Sequence, residues 1–432
     1  VTTWPGQART LHTEERATEL GTPGLPPAQQ RLTLRQLKGF VATNLGASVA
    51  FGAMYATQPV LPQISQEFHV DAATAGLTLL AVTFGLAFAS LGAGRITDRL
   101  GSRRVMIACG VALTLLSVGA AFAPTFTLLV AARAAQGLVV PGMTVAGLAF
   151  LHNELPARWR GRVSGFYIAT NTIGGLVGRL LVGLSVDALT WRGGLALVAV
   201  MVGLGTLVLV IGMPRESMRS EPAERHESGN GPGLRVILGR LWWAPLIGGT
   251  VFFPFLTVFT YTPYRLEGAP FHLSPSTANL FYLVYILGAF ASPVAGQLSD
   301  RIGRRPTIYI GLAVCTVGMA LSLLNNLPAA LVALALVCAG SLSAHVVANA
   351  TVSDGANPLG ARARGTALSL YTLGFYVGGG LGAFIPGYGW EHLGWVGVLM
   401  PCAVAVVGAA VVALKTPQRR HADAATLVPS IS

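Results

Sequence analysis

The sequence is poor in charge. Only 11% of its 432 residues are Asp, Glu, Lys or Arg, against about 25% in a soluble domain. None of its 17 carboxylates falls in the middle of a long apolar stretch. Cysteine is equally sparse: Cys109, Cys315, Cys338 and Cys402 all sit within apolar stretches at no metal-type spacing. They read as structural residues, and no metal site is expected. The glycine run Gly378–Gly382 has no Lys-Ser/Thr behind it, so it reads as helix packing and not as a phosphate cradle. No Ser-His-Asp or metal-ligand constellation stands out, so neither an enzyme nor a cofactor is expected. Residues 1–31 lack an apolar run behind a basic start, so no cleavable signal peptide is expected.

What the chain has instead is apolar length. It is 53% hydrophobic, with a mean hydropathy of +0.61. A membrane-spanning helix needs about 20 mostly apolar residues. Twelve such stretches can be read, near 40–62, 73–94, 104–123, 126–152, 161–186, 193–213, 242–265, 275–296, 305–325, 328–353, 365–388 and 394–414. The expectation is an all-α membrane protein with this organisation: a disordered N-terminal segment 1–38, a six-helix bundle 39–213, a linker 214–240, a second six-helix bundle 241–414 and a tail 415–432.

Of the 29 Lys and Arg residues, 25 fall on one side of this arrangement; Arg133, Arg179, Arg192 and Arg265 are the others. Basic loops stay in the cytoplasm, so both termini and the linker are expected there. The net charge of +12 is spread over seven loops and forms no single stripe, which argues against nucleic acid as a partner.

The two halves repeat each other. Gly94, Asp98, Arg99, Gly101, Arg103 and Arg104 are matched 202 residues on by Gly296, Asp300, Arg301, Gly303 and the pair Arg305-Pro306, with Arg304 between. At an offset of 204, Gly174, Gly178, Gly183, Asp187 and Trp191 align with Gly378, Gly382, Gly387, Glu391 and Trp395. Duplicated membrane halves are an architecture of secondary transporters.

On these residues the chain, over about 38–415, resembles the major facilitator superfamily. The paired basic loops look like two copies of its motif A, and Arg133 with Gln136 and Gly137 looks like motif B. The fifth span is similar to motif C of drug/proton antiporters, with Arg179 where proline is usual. Its glycines, together with Tyr55, Gln58, Pro59 and Pro62 in the first span, look more like the acriflavine-sensitivity subgroup. The resemblance implies two pseudo-symmetric six-helix bundles around a midplane cavity and a monomeric efflux permease in a bacterial inner membrane. It also implies that the motif A Asp faces the start of the eleventh helix. Asp98 with Arg99 and Arg103, and the copy around Asp300, Arg301 and Arg304, then read as a conformational latch; the plainer reading is charge that fixes topology.

Candidate residues for the substrate or proton path are the polar groups inside spans: Arg133, Gln136, Arg179, Asn171, His345, Asn44, Gln58 and Asn349, with Thr172 and several tyrosines beside them. Buried arginine is costly in a bilayer and tends to be functional. The alternative for Arg133 and Arg179 is capping of backbone carbonyls, or snorkelling to Asp187. His345, the histidine deep in a span, can shuttle protons or pack between helices. The leading expectation is export of small organic compounds in exchange for protons. The runner-up is export or exchange of an organic anion or metabolite held by the intramembrane arginines. The missing mid-span carboxylate argues against a specialist for lipophilic cations.

Overall fold

A computed structural model describes residues 32–156, 159–215 and 233–416. Its regular structure there is all helical. The first half contains α1 (Leu34–Met54), a 3-10 turn (Gln58–Val60), α2 (Leu61–Phe68), α3 (Ala72–Leu100), α4 (Ser102–Ala121), α5 (Phe126–Glu154) and α6 (Arg160–Gly212). The second contains α7 (Leu234–Leu241), α8 (Trp243–Glu267), α9 (Pro275–Asn279) running through a 3-10 turn (Leu280–Val284) into α10 (Tyr285–Ile302), then α11 (Arg304–Leu321), α12 (Leu327–Ala356) and α13 (Ala361–Ala413).

Eight helical runs among the described residues are long and apolar enough to cross a membrane. Two of them, α6 and α13, have 53 residues each, roughly 80 Å at 1.5 Å per residue and far more than one crossing needs. Each is broken at one residue: Thr190 (φ 60, ψ 172) in α6 and Gly394 (φ 56, ψ −138) in α13. These breaks lie at equivalent repeat positions, 204 apart. Splitting both helices there, with the shorter α1 and α11, is compatible with the twelve spans read from the sequence.

Two boundaries differ from expectation. The first helix starts at Leu34, inside the stretch 1–38 read as disordered, because Thr33 and Gln36 close a capping box over its first turn. Residues 1–31 lie outside the described residues. The expected linker 214–240 carries most of α7, with 216–232 outside the described residues. The expected tail 415–432 is described only to 416.

Helix starts follow a pattern that sets up the two ends of the bundle. At the end opposite the paired basic loops, here the far end, α3, α5, α9 and α12 begin behind Asp71, Thr125, Ser274 and Asn326. Each side chain accepts a first-turn N–H, satisfying a donor the helix leaves orphaned. At the basic end, α4 and α11 follow Gly101 (φ 84) and Gly303 (φ 95), a backbone region that favours glycine. The motif glycines are therefore dictated by turn geometry.

Within each half the same pairs pack: α1 against the first limb of α6, and α8 against the first limb of α13. The close approach depends on absent side chains. A Cβ on Gly174 would lie 2.1 Å from the Ser48 carbonyl oxygen, and one on Gly374 would lie 1.9 Å from that of Pro245. Small residues allow such backbone contact in bilayers.

Between the halves, closure is one-sided. At the far end Gln63 Nε2 donates to Glu267 Oε2 (2.7 Å), the Ser65 and Tyr264 hydroxyls are 2.6 Å apart, and Asn279 Nδ2 donates to the Pro59 carbonyl (3.2 Å). The start of α3 packs on α13, where a Cβ on Gly76 would meet the Ala383 carbonyl oxygen at 2.1 Å. Toward the basic end this contact ends: Cβ atoms on Gly92 and Gly94 would meet nothing within 4 Å.

Candidate functional site

The centre of the first half is organised by a break in the first span. The α-helix stops at Met54 and resumes at Leu61 after a 3-10 turn containing Pro59. Proline supplies no N–H, and a broken helix leaves carbonyls that hydrocarbon cannot satisfy. Arg133 on α5 satisfies them. Its guanidinium donates to Ala53 O (2.8 Å), to Met54 O, and to Gln136 Oε1 (2.5 Å), while Gln136 Nε2 donates to Ser117 Oγ (3.0 Å). Arg133 is 1% exposed. Of the two readings of Arg133 from the sequence, this geometry matches the capping of backbone carbonyls, with Gln136 as its brace. A small void lined by Ala53, Ala56, Ser117, Leu195 and Val198 adjoins the pair.

Arg179 sits on the other side of the same break, where the halves meet. Nε donates to Gln58 Oε1 (2.7 Å) and Nη1 to Gly175 O (2.8 Å). Gln58 Nε2 in turn donates to Thr260 Oγ1 in the second half (3.0 Å). The guanidinium carbon stands 4.0 Å from the ring centroid of Tyr55, 4.6 Å from that of Tyr285 and 5.8 Å from that of Tyr282. The last two rings belong to the second half. Among the described residues no carboxylate pairs with Arg179. Its partners are an amide oxygen, a carbonyl and π faces, which attract a cation through the ring quadrupole.

From Tyr285 a ladder of rings leads away through the second half. Phe255 lies 5.3 Å from Tyr285, Phe252 lies 5.4 Å from Phe255, and Phe375 stacks on Phe252 at 3.7 Å. His345 is 4.4 Å from Phe375. Its Nδ1 is 2.8 Å from the Tyr371 hydroxyl, which also lies 3.1 Å from the His345 carbonyl oxygen. His345 and Tyr376 are half-buried, as is Asn349, one turn along α12.

The remaining candidates disperse. Asn44 donates to Phe40 O (2.7 Å) and accepts from Thr170 (3.1 Å), tying α1 to α6. Asn171 is buried with its Oδ1 unpartnered. Tyr261, Tyr282 and Tyr371 are fully buried in packing positions.

The expected charge network of the first basic loop is not formed in this conformation. Asp98 and Asp300 are exposed and make no ion pair or hydrogen bond among the described residues. Arg99, Arg104 and Arg301 are exposed beside them, and Gly94 and Gly296 are open. Arg103 donates instead to Met213 O (2.8 Å) and Val210 O (3.2 Å) at the end of α6. Its repeat partner Arg305 does the same for Leu414 O (2.9 Å) and Thr416 O (2.6 Å), while Arg304 pairs with Asp354 (2.6 Å). These arginines staple each half internally, as cations at helix C-termini.

The halves, their duplicated glycine contacts and the paired basic loops match a family model described as Major Facilitator Superfamily over residues 43–267 and 264–428. The chain belongs to this superfamily. It is 30% identical over 403 residues to the inner membrane transport protein YnfM of Escherichia coli (strain K12), covering 92% of this chain and 93% of that one. It is 28% identical to the multidrug resistance protein Stp of Mycobacterium tuberculosis (strain CDC 1551 / Oshkosh), covering 66% and 63%. Its fold is similar to that of a bacterial homologue of the human lysosomal transporter Spinster, with a TM-score of 0.69, 17% identity, and coverage of 87% and 95%. The protein is therefore a multi-pass membrane protein and a secondary transporter, not an enzyme.

Reading the residues alone did not point to Thr260 or to the phenylalanines of the ladder, and gave Tyr55 only as part of the resemblance. One signal was available: Gln63 and Glu267 stand 204 apart, so two equivalent positions of the repeat meet across the pseudo-twofold.

Proposed function

We propose that the protein exports small organic compounds across a bacterial inner membrane in exchange for protons, as a monomer with both termini in the cytoplasm. With the basic loops on the cytoplasmic side, the conformation described is open to the cytoplasm and sealed outside. The observation that carries the reading is this closure at one end: polar contacts between described residues join the halves toward the far end, while Cβ atoms on Gly92 and Gly94 near the basic end would meet nothing within 4 Å, as an alternating-access carrier requires at one stage of its cycle. The aromatic ladder holds rings that suit an apolar planar solute, Phe252, Phe255 and Tyr285 being buried in this conformation, and one relative is named for multidrug resistance. His345 is the proton-exchanging group in this reading, since no carboxylate lies in mid-span.

A second reading has its own support. The charge of Arg179 has no carboxylate partner among the described residues, so it leaves positive potential between the halves that favours an organic anion. Purified protein in liposomes with an internal pH dye separates the two. Proton flux triggered by acriflavine, ethidium or neutral antibiotics supports the first. Flux triggered only by organic anions, and lost in Arg179→Ala, supports the second. Silence with both sets removes proton exchange from the account.

A further inference from the structure

At the far end, two helix starts are held by carboxylates of the opposite half in matched register. Asp187, in the first half, accepts through Oδ2 from the Ser276 N–H (3.3 Å) and from the Ser276 hydroxyl. Glu391, in the second half, accepts through Oε1 from the Ala72 N–H (3.0 Å). Ser276 lies in the first turn of the 28-residue helical run Pro275–Ile302, and Ala72 opens the 29-residue α3. Acid to acid and donor to donor, the offset is 204.

The glycines one turn before each acid complete the device. A Cβ on Gly183 would lie 2.4 Å from Asn279 Cγ, and one on Gly387 would lie 2.3 Å from Ala73 Cα. Each glycine thus lets the opposite helix approach until the carboxylate four residues on reaches its N–H groups. The acids differ in length, Asp against Glu, and the donors differ, Ser against Ala. What the two sites share is a carboxylate at the positive end of a long helix, behind a Gly-x3-acid spacing.

From this juxtaposition we infer that Asp187 and Glu391 form a twofold-related pair of far-end latches, positioning residues that hold the transporter shut there. One latch ties the first limb of α6 to the start of the α9–α10 run, and the other ties the first limb of α13 to the start of α3. They oppose the basic-end loops, where Asp98 and Asp300 are disengaged in this conformation. The inference is independent of substrate, direction and coupling ion.

The test uses the full chain in nanodiscs without substrate. Spin labels are placed at exposed far-end positions of opposite halves, Pro124→Cys and Asn325→Cys, in a Cys109→Ser background. Distance distributions are recorded for the parent, Asp187→Ala, Glu391→Ala and the double variant. Each single change is expected to raise the far-end-open population about two- to fivefold, and the pair roughly the product. Ala72→Pro supplies the decisive control. Proline is tolerated at the first helical position; it removes the N–H that donates to Glu391 and adds ring carbons at a buried residue. It should reproduce Glu391→Ala, and adding it to Glu391→Ala should change nothing further. Glu391→Gln should recover part of the closure. Unchanged distances in both alanine variants, or full additivity of Ala72→Pro with Glu391→Ala, would overturn the latch.

Discussion

The guanidinium of Arg179 lies 4.6 Å from the centre of the Tyr285 ring, across the boundary between the halves. With the Gln58 to Thr260 hydrogen bond, this makes Arg179 the hub of a seal between the central region and the far end. Desolvated cation–π contacts are worth about 2 kcal/mol and charge-assisted hydrogen bonds about 1.5–3 kcal/mol. Arg179→Ala should therefore open the seal. A cysteine placed at the buried Ala56 should react at least about tenfold faster with a water-soluble maleimide, a factor that needs only about 1.4 kcal/mol. Arg179→Lys keeps the charge but loses the planar face, so its rate should fall between. Unchanged reactivity in the alanine variant removes Arg179 from the gate.

Arg133 is expected to behave differently despite its similar depth. Its donors end on the Ala53 and Met54 carbonyls; Ala53 O keeps the Ala56 N–H at 3.3 Å, so the loss of Arg133 strands the Met54 carbonyl away from water. Arg133→Ala should lower stability by about 3 kcal/mol and depress the detergent melting temperature. Gln136→Ala, which removes only the brace, should cost about 1 kcal/mol. A melting temperature unchanged in Arg133→Ala would refute the capping role and restore Arg133 as a candidate for the transport path.

Much of this architecture can be read from the chain before folding, and the reason is local. Gly101 and Gly303 recur because each turn needs positive φ, and Thr190 and Gly394 fall at the same repeat position because both halves bend there. The break after Met54 is not readable in this way. Pro263 aligns with Pro59 yet lies inside the unbroken α8, so proline alone does not say which span is interrupted. Arg133 was recognisable as anomalous, but its task depends on that break. The pairing of His345 with Tyr371 depends on how α12 meets α13, which periodicity does not encode. The contacts of Asp187 and Glu391 are not readable in the sequence, because each carboxylate accepts from a backbone N–H, which any residue supplies.

The turn glycines give a prediction free of any transport assay. Gly101→Ala and Gly303→Ala force a Cβ into the same strained backbone, at a cost of about 1–3 kcal/mol each. At Gly303 the nearest atom to such a Cβ is Pro306 Cδ at 3.8 Å, so strain and not collision sets the loss there, and Gly101 shares its positive φ. The two variants should therefore lower the melting temperature by similar amounts, and their effects should add, being in separate halves. A large loss in one and none in the other would show that the two loops are not equivalent.

His345 allows proton coupling to be separated from substrate passage. Its Nδ1 is 2.8 Å from the Tyr371 hydroxyl, and its ring packs on Phe375 at 4.4 Å, the far rung of the ladder that reaches Arg179. If the imidazole exchanges the coupling proton, His345→Gln keeps a polar side chain but removes the titratable ring. Uphill efflux driven by a pH gradient should fall at least about tenfold, the size of effect expected when a proton-transfer group is lost. Counterflow of labelled against unlabelled substrate, which needs no net proton movement, should persist. Tyr371→Phe removes the hydroxyl partner while leaving the titratable ring, so it should shift the pH dependence of efflux without abolishing it. If His345→Gln lowers both modes equally, the histidine is a packing residue between α12 and α13. If neither falls, the coupling proton travels elsewhere.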